Sequence, residues 1–225
     1  MMTTQCSFDG ANIRDLPTER TERVGEWILL ASGTEFYVLD PRSEDIHLED
    51  IAHNLSNCCR YSGSCREHYS VAQHSLYVAH LLRHEPILTQ LQALFHDAAE
   101  AYLSDLHPQV KAAVGGFKEL ERRLWTEICR RFQFPEAMPP IIKAADTACV
   151  LPELEQLFPP HCHPGLDRDL IEVQGRFPQL VQDAKKLKIK TGERKQVEAE
   201  FLQTAKEKLR IWAKRNGVEK QTGGR

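Results

Sequence analysis

The sequence predicts an all-α fold preceded by a small N-terminal β-hairpin. Three observations carry that expectation. Apolar residues recur at three- and four-residue spacing in successive stretches between Ile46 and Trp212, the period of helices with one buried face. Two short, largely apolar runs, Trp27 to Ala31 and Glu35 to Leu39, flank Ser32-Gly33-Thr34, a turn signal between paired strands. The length of 225 residues suits one domain with an appendage better than two domains, and no internal repeat divides it.

Taken in order, residues 1–25 are polar and aperiodic and read as a loose arm ahead of the hairpin. Asp40-Pro41-Arg42 ends the hairpin, and a helical pattern follows through Ile46, Leu48, Ile51, Ala52 and Leu55 to about Asn57. Cys58 to His68 is polar, contains Gly63, and reads as a loop. Tyr69 to His84 is strongly apolar and helical, with His74 inside it. Pro86 suits the first turn of the next helix. That helix approaches through Leu88, Leu91, Leu94 and Phe95 and continues as one amphipathic element into His96, Asp97 and Ala98, placing His96 and Glu100 one turn apart on one face.

Leu106-His107-Pro108 opens a short segment with Lys111, which Gly115-Gly116 interrupts. Phe117 to Phe132 is a charged amphipathic helix with Leu120, Leu124, Trp125 and Ile128 as its stripe. Ile141 to Phe158 is a further helix, bent at Pro152, and holds Asp146. Pro159 to Asp167 reads as a loop. A last long helix, about Glu193 to Arg215, aligns Val197, Phe201, Ala205, Leu209 and Trp212, and the tail from Asn216 reads as disordered.

Composition narrows the function classes. The 41% hydrophobic and 27% charged shares are those of an ordinary globular protein. A net charge of −3 gives no general pull toward nucleic acid or anionic lipid, so neither a stable nucleic-acid partner nor a membrane is expected. No stretch reaches the roughly 18–20 apolar residues of a membrane span. Residues 1–15 lack the apolar core of a secretory signal. Seven cysteines, odd in number and irregularly spaced, point to reduced thiols and a cytoplasmic location.

The chemistry-bearing set is His74, the pair His96-Asp97, and Asp146, all within or beside apolar helical stretches. Imidazole and carboxylate together suit one divalent transition ion such as Mn, Fe, Co, Ni or Zn. Two of each leave coordination positions open, as a hydrolytic metal requires. The alternative for the His96 stretch is a helix end with a solvated acidic patch, and a lone His74 reads equally as a hydrogen-bonded core histidine. Asp146 weighs against these, because a carboxylate among Ala144, Ala145, Ala148 and Cys149 is costly to bury without a partner. His161-Cys162-His163 reads as an exposed loop. Cys58, Cys59, Cys65 and His68 contain no CxxC spacing and read as no zinc site.

In this set the sequence resembles the HD-domain phosphohydrolase superfamily, whose pattern is a His, then His-Asp, then a distant Asp, all on helices. Within it the closer resemblance is to the bacterial 5′-deoxynucleotidases and the phage enzymes that hydrolyse deoxynucleoside triphosphates, dATP especially. Three stretches carry the resemblance: Asp50-Ile51-Ala52-His53-Asn54-Leu55-Ser56 with Arg60-Tyr61, Tyr69-Ser70-Val71-Ala72-Gln73-His74-Ser75, and His96-Asp97-Ala98-Ala99-Glu100-Ala101-Tyr102. It implies an HD-domain core over residues 40–160, with an arm and hairpin over 1–39 and a C-terminal helical extension and tail over 161–225.

The resemblance further implies that His74, His96, Asp97 and Asp146 hold the metal. Glu100 matches the acid that orients or deprotonates the attacking water, and Asp105 a second acid near the leaving group. Arg60 matches an arginine that grips phosphate, Lys111 a phosphate-binding lysine of the triphosphate-cleaving relatives with Lys118 as a second candidate, and Tyr61 an aromatic against the base. The expected activity is metal-dependent hydrolysis of a small deoxynucleotide, either a monophosphate or a triphosphate, the latter with a second divalent ion. A homo-oligomer is implied by kinship. Two other classes are open: a non-catalytic nucleotide sensor on the same fold, which predicts a missing ligand or acid, and a nucleic-acid module suggested by the Lys185 to Lys190 run, a pattern usual for a solvated face.

Overall fold

The computed structural model describes residues 22–160 and 168–216. Residues 1–21 of the arm expected over 1–25, the His161-Cys162-His163 loop and the tail beyond Asn216 lie outside the described residues. Two strands, β1 (Trp27–Leu29) and β2 (Glu35–Tyr37), pair antiparallel in the register Trp27 to Tyr37, Ile28 to Phe36 and Leu29 to Glu35. The turn between them uses Gly33 at φ +87°, a left-handed conformation that glycine adopts without a Cβ penalty. Among the described residues the other regular elements are helical, apart from one antiparallel bridge between Cys59 and Ser70.

The helices are α1 (Leu48–Asn57), α2 (Val71–Leu81), α3 (Ile87–Phe95), α4 (Glu100–Leu103), α5 (Pro108–Ala113), α6 (Phe117–Phe132), α7 (Pro140–Leu157), α8 (Arg168–Arg176), α9 (Pro178–Lys185) and α10 (Arg194–Asn216). The mostly helical class with a two-stranded hairpin is thus as the sequence predicts. Helix α2 lies at the centre and packs on α1, α3, α7 and α10. Its apolar surface accordingly runs nearly all round, with Val71, Ala72, Val78 and Leu82 fully or almost fully buried. Phe36 from the hairpin and Val197, Phe201 and Ala205 from α10 join the same hydrophobic core, so the outer segments are not separate from the central one.

Three local expectations need correction. The helix through His96 and Asp97 is not continuous. It ends at Phe95, and residues 96–99 form tight turns closed by Ala98 N–H to Phe95 O (2.8 Å) and Glu100 N–H to Asp97 O (2.9 Å), before α4 resumes. The His96 ring supplies the reason: its Nδ1 lies 2.8 Å from Ala93 O, the acceptor that a continuing helix would offer to the Asp97 amide. Second, the helical extension expected over 161–225, in which only the helix from about Glu193 was individually foreseen, also holds α8 and α9. Third, Arg60–Gly63, read as open loop, is a 3-10 turn in which Tyr61 and Ser62 take φ values of +56° and +49°.

The lysine run after α9 is an extended strap. Leu187 and Ile189 point inward while Lys186, Lys188 and Lys190 remain exposed. Its backbone is tied down by Gln156 Nε2 to Leu187 O (2.9 Å), Tyr77 Oη to Lys188 O (2.9 Å) and Gln73 Nε2 to Lys190 O (2.7 Å). Among the described residues, no helix is long and apolar enough to cross a membrane.

Candidate metal centre and cleft

Each side chain of the centre is placed by a local device. Helix α2 starts with a capping box, in which Ser70 Oγ accepts from Gln73 N–H and Gln73 Oε1 accepts from Ser70 N–H. That start fixes the rotation of the first turn and turns His74 into the core, where it is wholly buried. The turn after α3 presents His96 and Asp97 together. Helix α7, opened by Pro139-Pro140 and running uninterrupted through Pro152, supplies Asp146 and, two turns later on the same face, Glu153.

These residues converge. His74, His96 and Asp146 form the one group of His, Cys, Asp or Glu donors found among the described residues with ligand atoms all within 4.8 Å of one another. His74 Nε2 lies 3.0 Å and His96 Nε2 3.9 Å from Asp146 Oδ1. Asp97 Oδ2 stands 3.1 Å from His96 Nε2 and 3.8 Å from His74 Nε2. Both Nε2 atoms face the same carboxylates because both Nδ1 atoms are engaged elsewhere: His96 with Ala93 O, His74 with Glu153 Oε1 at 2.6 Å. His96 Nε2 is buried without a hydrogen-bond acceptor in good geometry, which is the donor atom a cation would satisfy. Two imidazoles, their second nitrogens tied back, and adjacent carboxylates fit a divalent ion.

The electrostatics agree. Burial works against charging His96, but Asp97 and Asp146 outweigh it and raise its pKa to about 10. Burial disfavours ionised Asp146 as well; hydrogen bonds and attraction from both histidines overcome that and hold it well below the ordinary carboxylate range. Glu153 is also fully buried, yet Arg60 and His74 keep its pKa near 2, so it is a carboxylate. Metal-free, the centre holds compensating charges packed close together.

Arg60 bridges this cluster and the open side. Its Nε donates to Glu153 Oε2 (3.0 Å), and its terminal nitrogens lie 3.8 Å from Asp97 and 3.6 Å from Asp146. Tyr61 Oη donates to Glu153 Oε2 (2.6 Å) and Tyr61 N–H to Asp105 Oδ2 (2.9 Å), which holds Tyr61 in its left-handed conformation. A cleft of about 840 Å³ opens here, lined by Arg60, Tyr61, Asp97, Glu100, Asp105, Lys111, Lys143 and Asp146, with Val150, Leu151, Leu154 and Leu170 as an apolar wall. The size falls within the range of small-molecule sites.

Glu100 sits where the cleft meets the core. Burial, then Asp97 and Asp105, raise its pKa to about 8, while Lys111 works in the other direction. Lys111 Nζ donates to Glu100 Oε1 and Glu121 Oε1, each at 2.8 Å. Glu100 Oε2 is buried without a partner.

The structure therefore brings together His74, His96, Asp97, Asp146, Glu100, Asp105, Arg60, Tyr61 and Lys111. It does not bring Lys118, which is exposed on the first turn of α6 and does not line the cleft. Cys58, Cys59, Cys65 and His68 form no donor group among the described residues; Cys58 Sγ instead accepts from Asp105 N–H at 3.3 Å. Two residues escaped the sequence reading. Glu153 was legible only as a carboxylate seven residues after Asp146. Lys143, three residues before Asp146 on α7, pairs with Asp146 Oδ2 at 2.7 Å and adds a cation to the cleft.

No family model matches the chain. It is similar to the uncharacterized protein RCAP_rcc00048 of Rhodobacter capsulatus, 43% identical over 142 residues, which are 58% of this chain and 72% of that protein. It is also similar to the uncharacterized protein YfdR of Escherichia coli K12, 34% identical over 126 residues, 56% of this chain and 69% of that protein. At these identities, over more than two thirds of each relative, the chain belongs to the family that includes these two proteins.

Proposed function

We propose that this chain is a metal-dependent phosphohydrolase of deoxynucleotides, built on the HD-domain arrangement its sequence resembles. The observation that carries the reading is the convergence of His74, His96 and Asp146, with Asp97 beside them, at a nucleotide-sized cleft that also presents Arg60, Lys111 and Lys143. His74, His96, Asp97 and Asp146 would hold the metal. A divalent ion there supplies positive charge to phosphoryl oxygens and makes a bound water more acidic.

The remaining work falls to the chain's own side chains. Arg60 reaches the cleft from the cluster and offers its terminal N–H groups to a phosphate, with Glu153 fixing its Nε. Glu100, with Oε1 on Lys111 and Oε2 buried without a partner, is the carboxylate that would take a proton from a water. Asp105 lines the cleft close to Tyr61, at the side where a leaving oxygen would be met. The apolar wall gives a base a dry surface, and Tyr61 stands at its edge against Phe158. Lys111 and Lys143 bring the cationic side chains in the cleft to three, more charge than one phosphate requires. Each is paired with a carboxylate, so a triphosphate substrate would compete for them, and the product assay separates it from a monophosphate.

The test is a product assay with dAMP and dATP in the presence of Co²⁺ or Mn²⁺. A monophosphatase liberates inorganic phosphate from dAMP; a triphosphohydrolase liberates tripolyphosphate from dATP. The variant Asp97→Ala should lose both. Turnover of neither substrate by protein that binds Co²⁺ would refute the catalytic reading and leave the nucleotide sensor.

A further inference from the structure

Glu153 is not among the residues that line the cleft, yet four donors end on it. His74 Nδ1 (2.6 Å) and Tyr69 Oη (2.9 Å) meet Oε1; Arg60 Nε (3.0 Å) and Tyr61 Oη (2.6 Å) meet Oε2. A carboxylate has about four lone-pair sites, so this one is filled. Its side chain is fully buried, and so is that of His74. A buried carboxylate is costly unless its charge is used.

We infer that Glu153 is a positioning residue: one oxygen selects the metal-binding form of His74 while the other fixes Arg60 beside the same cluster. The inference rests on the metal centre proposed above and goes beyond it, because Glu153 is no ligand. The His74 arm follows from proton placement. With Nδ1–H donating to Glu153, the neutral ring must present the Nε2 lone pair toward Asp97 and Asp146. The Arg60 arm follows from geometry: Nε is the guanidinium nitrogen nearest the side-chain stem, and anchoring it leaves both terminal nitrogens directed at the cluster, 3.6–3.8 Å from Asp146 and Asp97.

Glu153→Gln separates these duties while nearly keeping shape. Gln has one acceptor oxygen and an amide that only donates. Arg60 Nε–H cannot become an acceptor, so the Gln oxygen stays with Arg60 and Tyr61, and the amide turns to His74 and Tyr69. Tyr69 Oη can accept. His74 can accept only by moving its proton from Nδ1 to Nε2, where it points at Asp146 and removes the lone pair a metal needs.

Co²⁺ alone, titrated by calorimetry and visible absorption, is the probe. Wild type should bind Co²⁺, and the Glu153→Gln variant should bind it about 10–100-fold more weakly. The ¹⁵N spectrum of the metal-free variant at alkaline pH should place the His74 proton on Nε2. Tyr69→Phe, which removes the other donor on the same oxygen, should stay within about threefold of wild type. Equal affinity of Glu153→Gln and wild type overturns the inference, as does an equal loss in Tyr69→Phe. If Glu153→Gln does not fold, zinc-loaded wild type decides: a slowly exchanging Nδ1–H on His74 supports the inference and its absence overturns it. Wild type that binds no Co²⁺ sinks the metal centre itself, a failure distinct from normal binding by both proteins.

Discussion

His74 and His96 point their Nε2 atoms at the same carboxylates but are held there by different means. His96 is oriented from within its own segment: Nδ1 takes the carbonyl of Ala93, three residues back, and ends α3 in doing so. The capping box turns His74 inward, but its ring is oriented by Glu153, 79 residues later and on another helix. One ring is set by local backbone, the other only when α2 and α7 have packed. Positions of the first kind survive damage elsewhere in the fold, whereas those of the second kind register it.

Removing what the two histidines share should have the largest effect. Asp146→Ala takes away the oxygen both rings face, and Co²⁺ binding measured by calorimetry should fall below detection, with hydrolysis lost alongside. Next comes the contrast between the rings. In EDTA, His74→Ala should destabilise the protein by about 2–4 kcal/mol, since it opens a fully buried site and deprives Glu153 of a donor. His96→Ala also takes a partner from Asp97 and Asp146 but frees Ala93 O for the backbone, and should cost less, about 1–3 kcal/mol; urea titration of both variants would compare them. Equal costs would break the local-versus-tertiary distinction.

A third, comparable effect concerns the segment that follows His96. The Glu100 carboxyl has a folded pKa of about 8 against an ordinary 4.5, so the folded state binds the extra proton between those values. Stability of the metal-free protein should therefore fall as pH rises from about 4.5 to 8, by roughly 3–5 kcal/mol from this group once partial exposure to solvent is allowed for. Glu100→Gln should flatten that fall, read as urea midpoints across the pH range. A slope unchanged by the substitution would show that Glu100 is not the group responsible. The last effect is on thermal stability. Co²⁺ at about one hundred times its Kd should add about 2.7 kcal/mol, roughly 5–10 °C in Tm for a domain of this size, and neither histidine variant should show it.

The four ligand candidates were legible because metal chemistry restricts the residue types and helical periodicity places them on apolar faces. Glu153 was not, since Glu153-Leu154-Glu155-Gln156 looks like the polar side of a helix end and only tertiary packing reveals the burial. The break after Phe95 was equally hidden: the residues favour a helix, and a single ring nitrogen competing for Ala93 O decides otherwise. Helices α8 and α9 carry few buried apolar residues, Leu170, Val181 and Ala184 among them, too few to generate a period. The Lys185 to Lys190 run could be read as solvated, but not as a strap, because the alternation of Leu187 and Ile189 is only two residues deep.

The hairpin stands behind the site and not at its mouth. Phe36 is fully buried with its ring 4.4 Å from that of Tyr102 on α4, and Ser32 at the turn is held by both oxygens of buried Asp50 on α1. Helix α4 is a single turn, too short to persist unaided, and it carries Glu100. Trimming the chain back to Asp40 should thus spare the cation's donors and still slow turnover, as an anvil loosened from its block spoils the blow without touching the hammer.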